Sequence, residues 1–213
     1  MQETESKFYF VGGQLGLDFI NTQVGEKEGA VEFLSGFADL IAWLQQAGSL
    51  DAAQAKAALA TWGQRPEAKQ LLDQARKLRN VLRELAQRLA AGKSVGPSML
   101  EEINRVLAQE SGYNQLVRGA HGYELRFQAS RKEAAHLLTP IALSAAELLC
   151  ASEPQRIRRC GNPVCGLYYY DTSKNHTRRW CSMAICGNRM KAAAFYQRSQ
   201  KKKNTPSTGK RKG

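Results

Sequence analysis

Four cysteines carry the most specific chemistry in this chain. Cys160 and Cys165 enclose four residues, fifteen more follow, and Cys181 and Cys186 enclose four again. Two short pairs joined by a compact excursion can close a tetrahedron of thiolates around one Zn2+ without straining the backbone. Four sulfurs leave no open coordination position, so the metal this predicts is structural rather than hydrolytic. The same pairs could instead form disulfides or remain buried free thiols. The chain opens Met1-Gln-Glu-Thr-Glu-Ser-Lys7 with no secretory pattern, which points to a reducing, cytoplasmic compartment where stable disulfides are disfavoured. One zinc ion held by Cys160, Cys165, Cys181 and Cys186 is the expectation. His176, within the excursion, is an alternative ligand that four well-spaced cysteines make unnecessary. Cys150 lies outside the pairing, at the apolar end of a segment, and reads as core.

The charge is concentrated around these cysteines. The chain of 213 residues carries a formal +12, yet residues 156–213 hold fifteen Lys and Arg against a single acid, Asp171, and the remainder is slightly acidic. A strongly basic block beside a near-neutral one is the electrostatic footprint of a nucleic-acid binder. The blander reading, a solubilising surface, suits the runs Lys201–Lys203 and Lys210–Lys212 equally well. Residues Met183 to Arg198 contain good helix formers and no proline, so Cys181 and Cys186 are expected at or within the first turns of a helix whose positive end favours thiolates. On that helix Asn188, Lys191, Phe195, Arg198 and Lys202 recur at steps of three and four. Such a stripe could enter a major groove, with Arg189 beside it and Arg178 and Arg179 as phosphate clamps; the competing reading is a solvated face.

The elements that must position this centre are mostly helical. Within it, Gly161 and Asn162 supply a turn around the first pair, Leu167–Asp171 reads as a strand, and Trp180 with Tyr168 or Tyr170 would form a small core. Upstream, Phe8–Val11 looks like a short strand stopped by Gly12-Gly13, and Leu15, Phe19 and Ile20 have helical spacing. Helices are expected over Phe33–Gln46 and Asp51–Trp62, and from Pro66 for about 27 residues. The last has an apolar face of Leu71, Ala75, Leu78, Leu82, Leu85 and Leu89, leaving Arg76, Lys77, Arg79, Arg83 and Arg88 to solvent. Ser98 with Glu101, and Ser130 with Glu133, have capping-box spacing ahead of two more helices, the second kinked or split at Pro140. Between them Asn114–Arg118 and Tyr123–Phe127 pattern as a β-hairpin.

The fold class is thus mainly α: a helical domain with a short β-hairpin over residues 1–153, a treble-clef-like zinc finger over 154–199, and a basic, disordered tail from 200 to 213. No apolar run approaches membrane-spanning length. The helical part shows no catalytic constellation, since His121 and His136 are isolated. Asp18, Asn21 and Thr22 could line a pocket, but a capping or core-anchoring role suits them better.

The stretch Asp171-Thr-Ser-Lys-Asn-His-Thr-Arg-Arg-Trp180-Cys-Ser-Met-Ala-Ile-Cys186-Gly-Asn-Arg-Met-Lys191 resembles the CGNR zinc-finger family, named for the last cysteine and its three successors. Phe10-Val-Gly-Gly13-Gln-Leu-Gly-Leu-Asp18-Phe-Ile-Asn21-Thr22 is similar to the opening of the ABATE domain that usually precedes that finger. The resemblance implies a bacterial, cytoplasmic, stress-related transcription regulator whose finger binds DNA. It carries the zinc ligands onto Cys160, Cys165, Cys181 and Cys186. His176 departs from the pattern, where the family commonly has arginine.

Three functions compete on this evidence. The first is a zinc-dependent regulator binding duplex DNA, with the helical domain sensing a small-molecule effector, forming a homo-oligomer or contacting a partner. The second is an RNA-binding or ribosome-associated module, with Tyr168–Tyr170 stacking on unpaired bases. The third, an enzyme with its site in the helical domain, lacks recognisable machinery.

Overall fold

A computed structural model describes residues 7–25, 29–109, 112–119, 122–129, 133–150 and 153–203. The chain is organised around one long helix, α4 (Pro66–Ala90), started by a proline whose missing N–H costs nothing at that position. Its apolar stripe is as the sequence spacing requires, and it is flanked by a second buried row containing Ala68, Leu72, Arg79 and Ala86. A helix buried on so wide an arc must sit inside its neighbours. Helices α1 (Leu15–Ile20), α2 (Phe37–Gln46), α3 (Ala52–Trp62) and α5 (Pro97–Leu107) all pack on it. α6 (Thr139–Cys150) closes the bundle against α1 and α5.

Three antiparallel pairs complete the described residues. β1 (Gln23–Val24) pairs with β2 (Val31–Glu32), β3 (Gly112–Gly119) with β4 (Gly122–Ala129), and β5 (Ile157–Arg159) with β6 (Tyr168–Tyr170). The last pair leads into the cysteine excursion. A π-helical turn over Met183–Gly187 then runs into α7 (Asn188–Lys203), which takes in the Lys201–Lys203 run.

Several sequence expectations change. Phe8–Val11 forms no strand, because this segment offers β6 a single bond, Tyr170 N–H to the Gly12 carbonyl at 2.8 Å. The helix expected from Phe33 starts at Phe37: the Glu32 carboxylate holds the Leu34 N–H, and Asp39 holds the N–H groups of Ser35 and Gly36, which keeps the approach non-helical. α5 begins at Pro97 with Gly96 as its cap, so Ser98 caps nothing there. The Ser130–Glu133 box falls partly outside the described residues. Pro140 does divide its segment, into a 3-10 turn at Ala134–Leu138 and α6. Cys150 is exposed at the end of α6 rather than buried.

The largest change concerns the arginines of α4. Arg79 is 2% exposed. Its guanidinium forks onto both Glu32 carboxylate oxygens and donates to Thr22 Oγ1 at 3.0 Å. Arg83 donates to the carbonyls of Ile20 and Gln23, and Arg76 to that of Leu34 at 2.7 Å. Arg83 and Arg76 thus satisfy carbonyls of α1, β1 and the segment after β2 that would otherwise stay unpaired.

Candidate metal centre

The centre is built on a strand that serves two cores. Side chains alternate across β6. Tyr168 and Ile157 join the core of the helical bundle, and Tyr170 packs at its edge. Tyr169 points the other way, into a separate cluster with Cys160, Cys165, Leu167, Cys181 and Cys186, with Trp180 partly buried beside it. Tyr169 therefore replaces Tyr168 or Tyr170 as the finger's own core aromatic.

Burial pushes the Tyr169 hydroxyl up to about 12, and it donates to the Arg178 carbonyl at 2.5 Å. The strand is fastened to the bundle by Asn21. Its side-chain amide donates to the Tyr168 carbonyl and accepts from the Tyr168 N–H, both at 2.9 Å, so one buried side chain completes both backbone groups. Core anchoring, the reading favoured for Asn21 and Thr22, is what the hydrogen bonds describe.

The first cysteine pair lies on a tight knuckle. Cys160 N–H donates to the Leu167 carbonyl at 2.8 Å, Cys165 N–H to that of Asn162 at 3.0 Å, and Gly166 turns the chain at φ +71°. The second segment is laid alongside it by Gly161 N–H to the Arg179 carbonyl at 2.8 Å; a Cβ at Gly161 would come within 3.0 Å of that oxygen. Cys181 thus precedes any helix, and Cys186 lies in the π-turn, whose opening Ser182 caps through its hydroxyl. This refines the expectation that both sit within one helix start.

All four sulfurs are buried and lie within 4.8 Å of one another, with Cys165 and Cys181 at 3.7 Å. Zn–S bonds of about 2.3 Å at tetrahedral angles require sulfurs about 3.8 Å apart, so the set fits one Zn2+. Hydrogen bonds already point at the sulfurs: Cys181 N–H to Cys160 Sγ and the buried Asn162 amide to Cys186 Sγ, each at 3.4 Å. Such donors stabilise thiolates and fix their orientation. The hydrogen bond shared between the two thiols lowers Cys165 and raises Cys181. His176 takes no part in the cluster; it stands at φ 51° in the loop.

That loop is organised by Asp171, the lone acid of the basic block and fully buried. Burial raises its carboxyl, but hydrogen bonds from Ser173 and from Arg178 N–H outweigh this and hold it below the ordinary value. Its isolation in the sequence was the available signal. For Asn162 the sequence signals a turn and for Asn21 an anchor, without showing that their partners are the Cys186 sulfur and the Tyr168 backbone.

The expected nucleic-acid residues fall into two groups. Arg178 is half-buried, lies 4.3 Å over the Tyr169 ring, and donates to the carbonyls of Trp180, Val11 and Cys181. It serves the fold of the loop. Arg179, Asn188, Arg189, Lys191 and Arg198 are exposed, and Lys202 lies within α7. Met190 is half-buried and Ala193 is exposed. Of the tyrosines offered for base stacking, Tyr168 and Tyr169 are buried.

The ABATE family profile, described as "Putative stress-induced transcription regulator", matches residues 13–152. The chain belongs to the ABATE family. The CGNR zinc-finger profile follows over residues 156–199, which contain all four cysteines. No curated protein sequence matches this ABATE chain. Together, the finger's profile and the sulfur geometry assign one structural zinc ion to Cys160, Cys165, Cys181 and Cys186.

Proposed function

We propose that this ABATE protein is a regulator that binds duplex DNA through the finger and α7. The observation that carries the reading is α7 itself. It leaves the zinc cluster at Asn188 with every described side chain but Met190 and Ser199 exposed, it bears Arg189, Lys191 and Arg198, and it contains no acid. A basic helix exposed on nearly every side gains nothing from packing, and polyanion binding gives its charge a purpose. Arg179, 5.3 Å over the Trp180 ring, adds a cation beside the helix start.

A second reading, single-stranded or RNA targets, rests on Phe195 and Tyr196, 61% and 67% exposed with ring centroids 6.0 Å apart, since exposed rings stack on unpaired bases.

Fluorescence anisotropy of the zinc-loaded chain against random duplex DNA, single-stranded DNA and structured RNA separates the two. Duplex should bind tightest, with affinity falling by about a hundredfold or more between low and moderate salt. Arg189→Ala combined with Lys191→Ala should weaken binding while zinc remains stoichiometric. Preference for single strands would favour the second reading, and binding unaffected by the double substitution would remove α7 from either.

A further inference from the structure

We infer that the hollow between the 172–180 loop and the π-turn is a subsite for one phosphate-deoxyribose unit of a duplex, with Arg179 as its cation and Asp171 and Ser173 as the residues that position that cation. The hollow has a volume of about 320 Å3 and is lined by Thr177, Arg178, Arg179, Trp180 and Met183. The inference rests on the duplex-DNA reading above and says where one backbone contact is made.

The backbone around Arg179 is fixed at every step. The carbonyls of four successive residues each accept a hydrogen bond: Arg178 from the Tyr169 hydroxyl at 2.5 Å, Arg179 from Gly161 N–H at 2.8 Å, Trp180 from Arg178 Nε at 2.9 Å, and Cys181 from Arg178 Nη2. From the other side Asp171 accepts from Ser173 and from the Arg178 N–H, and Ser173 Oγ accepts the Thr177 N–H at 3.2 Å. These bonds commit Arg178 to the loop. Arg179 is exposed, and its guanidinium lies over the Trp180 ring with no carboxylate or carbonyl partner among the described residues. A cation presented on so fixed a backbone loses little freedom on meeting a phosphate.

The apolar part of the lining is held as well. A Cβ at Gly161 would stand 3.3 Å from Trp180 Cζ3, and one at Gly187 would stand 3.2 Å from Trp180 Cδ1, so glycine backbones hold both ends of the indole. The same Gly187 Cβ would come within 2.6 Å of Met183 Sδ, so the thioether rests on Gly187 too. Met183 nonetheless stays 52% exposed. A flat ring and a thioether suit the carbon face of a deoxyribose, while Arg179 and the Thr177 hydroxyl in the same lining suit its phosphate. Asp171, the single acid of residues 156–213, is buried and taken by the loop, so nothing in that block opposes an anion here. Contacts of this kind fix a protein on a duplex without reading its sequence.

Anisotropy titrations of the zinc-loaded full chain with random duplex DNA across a salt series test the subsite. Arg179→Ala should weaken binding about tenfold and lower the slope of log affinity against log salt by about one, as loss of a single phosphate contact requires. Met183→Ala should weaken binding about threefold and leave the slope unchanged, because it removes apolar contact only. Ser173→Ala should cost about fivefold in the native chain and nothing in the Arg179→Ala background, the coupling expected of a residue that acts through Arg179. An unchanged slope in Arg179→Ala, an unaffected Met183→Ala, or a Ser173→Ala cost that persists in full without Arg179 would each overturn the subsite while leaving duplex binding by α7 in place. A native chain that binds no duplex would remove the duplex reading and the subsite together. Because Arg179 is exposed, its variant reads the slope even if Ser173→Ala loosens the loop.

Discussion

Asp18 is half-buried where three parts of the chain meet. Its Oδ1 accepts the Gly12 N–H at 2.7 Å, and the carbonyl of Gly12 in turn accepts from Tyr170 of β6. Gly12 is needed there, because a Cβ would lie 2.8 Å from the Asp18 nitrogen. Burial raises the carboxyl to about 6 from 3.8, outweighing the hydrogen bonds from Gly12 and Val11. A carboxyl raised in the folded state binds its proton more tightly there than when unfolded. Its contribution to stability is therefore complete below its unfolded value and is lost as pH rises through about 6. Comparing denaturant unfolding of the native chain and Asp18→Asn at each pH isolates this group. The native chain should lose ground to the variant between about pH 4 and 6 and hold a constant difference above. A difference that stays flat through that window would mean the carboxyl is solvated.

At the scale of elements, the α4 arginines mark where sequence reading stops. The spacing of leucines shows which face of a helix is apolar but not what polar groups lie beside it. Arg79 is buried because Glu32 and Thr22 come to meet it from β2 and the turn after α1, far away in sequence. Arg79→Ala removes the buried cation and leaves its partners uncompensated, at a cost of about 3 kcal/mol. Arg79→Met together with Glu32→Leu should recover much of that loss in chemical denaturation. A mild effect of the single alanine would mean that water satisfies Glu32. The tyrosines of β6 pose the same limit in strand form: alternation says that Tyr169 opposes its neighbours, not which side faces the bundle. The cysteine ligands were legible because metal geometry constrains spacing directly, and α4 and the β3–β4 hairpin because their periodicities are long. Asn21 was ambiguous because its partner is a backbone, which has no letter of its own.

For the whole molecule, zinc and helical bundle share one strand, so their stabilities are linked. Ile157 and Tyr168 are buried in the bundle, while the next residues along each strand lead directly to the ligands. Metal bound only by the folded chain stabilises everything that unfolds with it. Circular dichroism at the helical band should show one melting transition for the zinc-loaded chain, and chelation should lower it by at least about 5 °C. A helical melt indifferent to chelation would show that the strand holds its place without the metal.

The two-sided strand also bears on how such a chain can be recombined. A segment spanning 156–199 looks like a cassette in the sequence, yet grafted onto another protein it would carry Ile157 and Tyr168 into water and leave the Tyr168 backbone without the amide of Asn21. The donor would lose the inner wall of its own bundle. Shuffling at the profile boundary damages both products, and the smallest transplantable unit is the finger together with the helices that receive its strand.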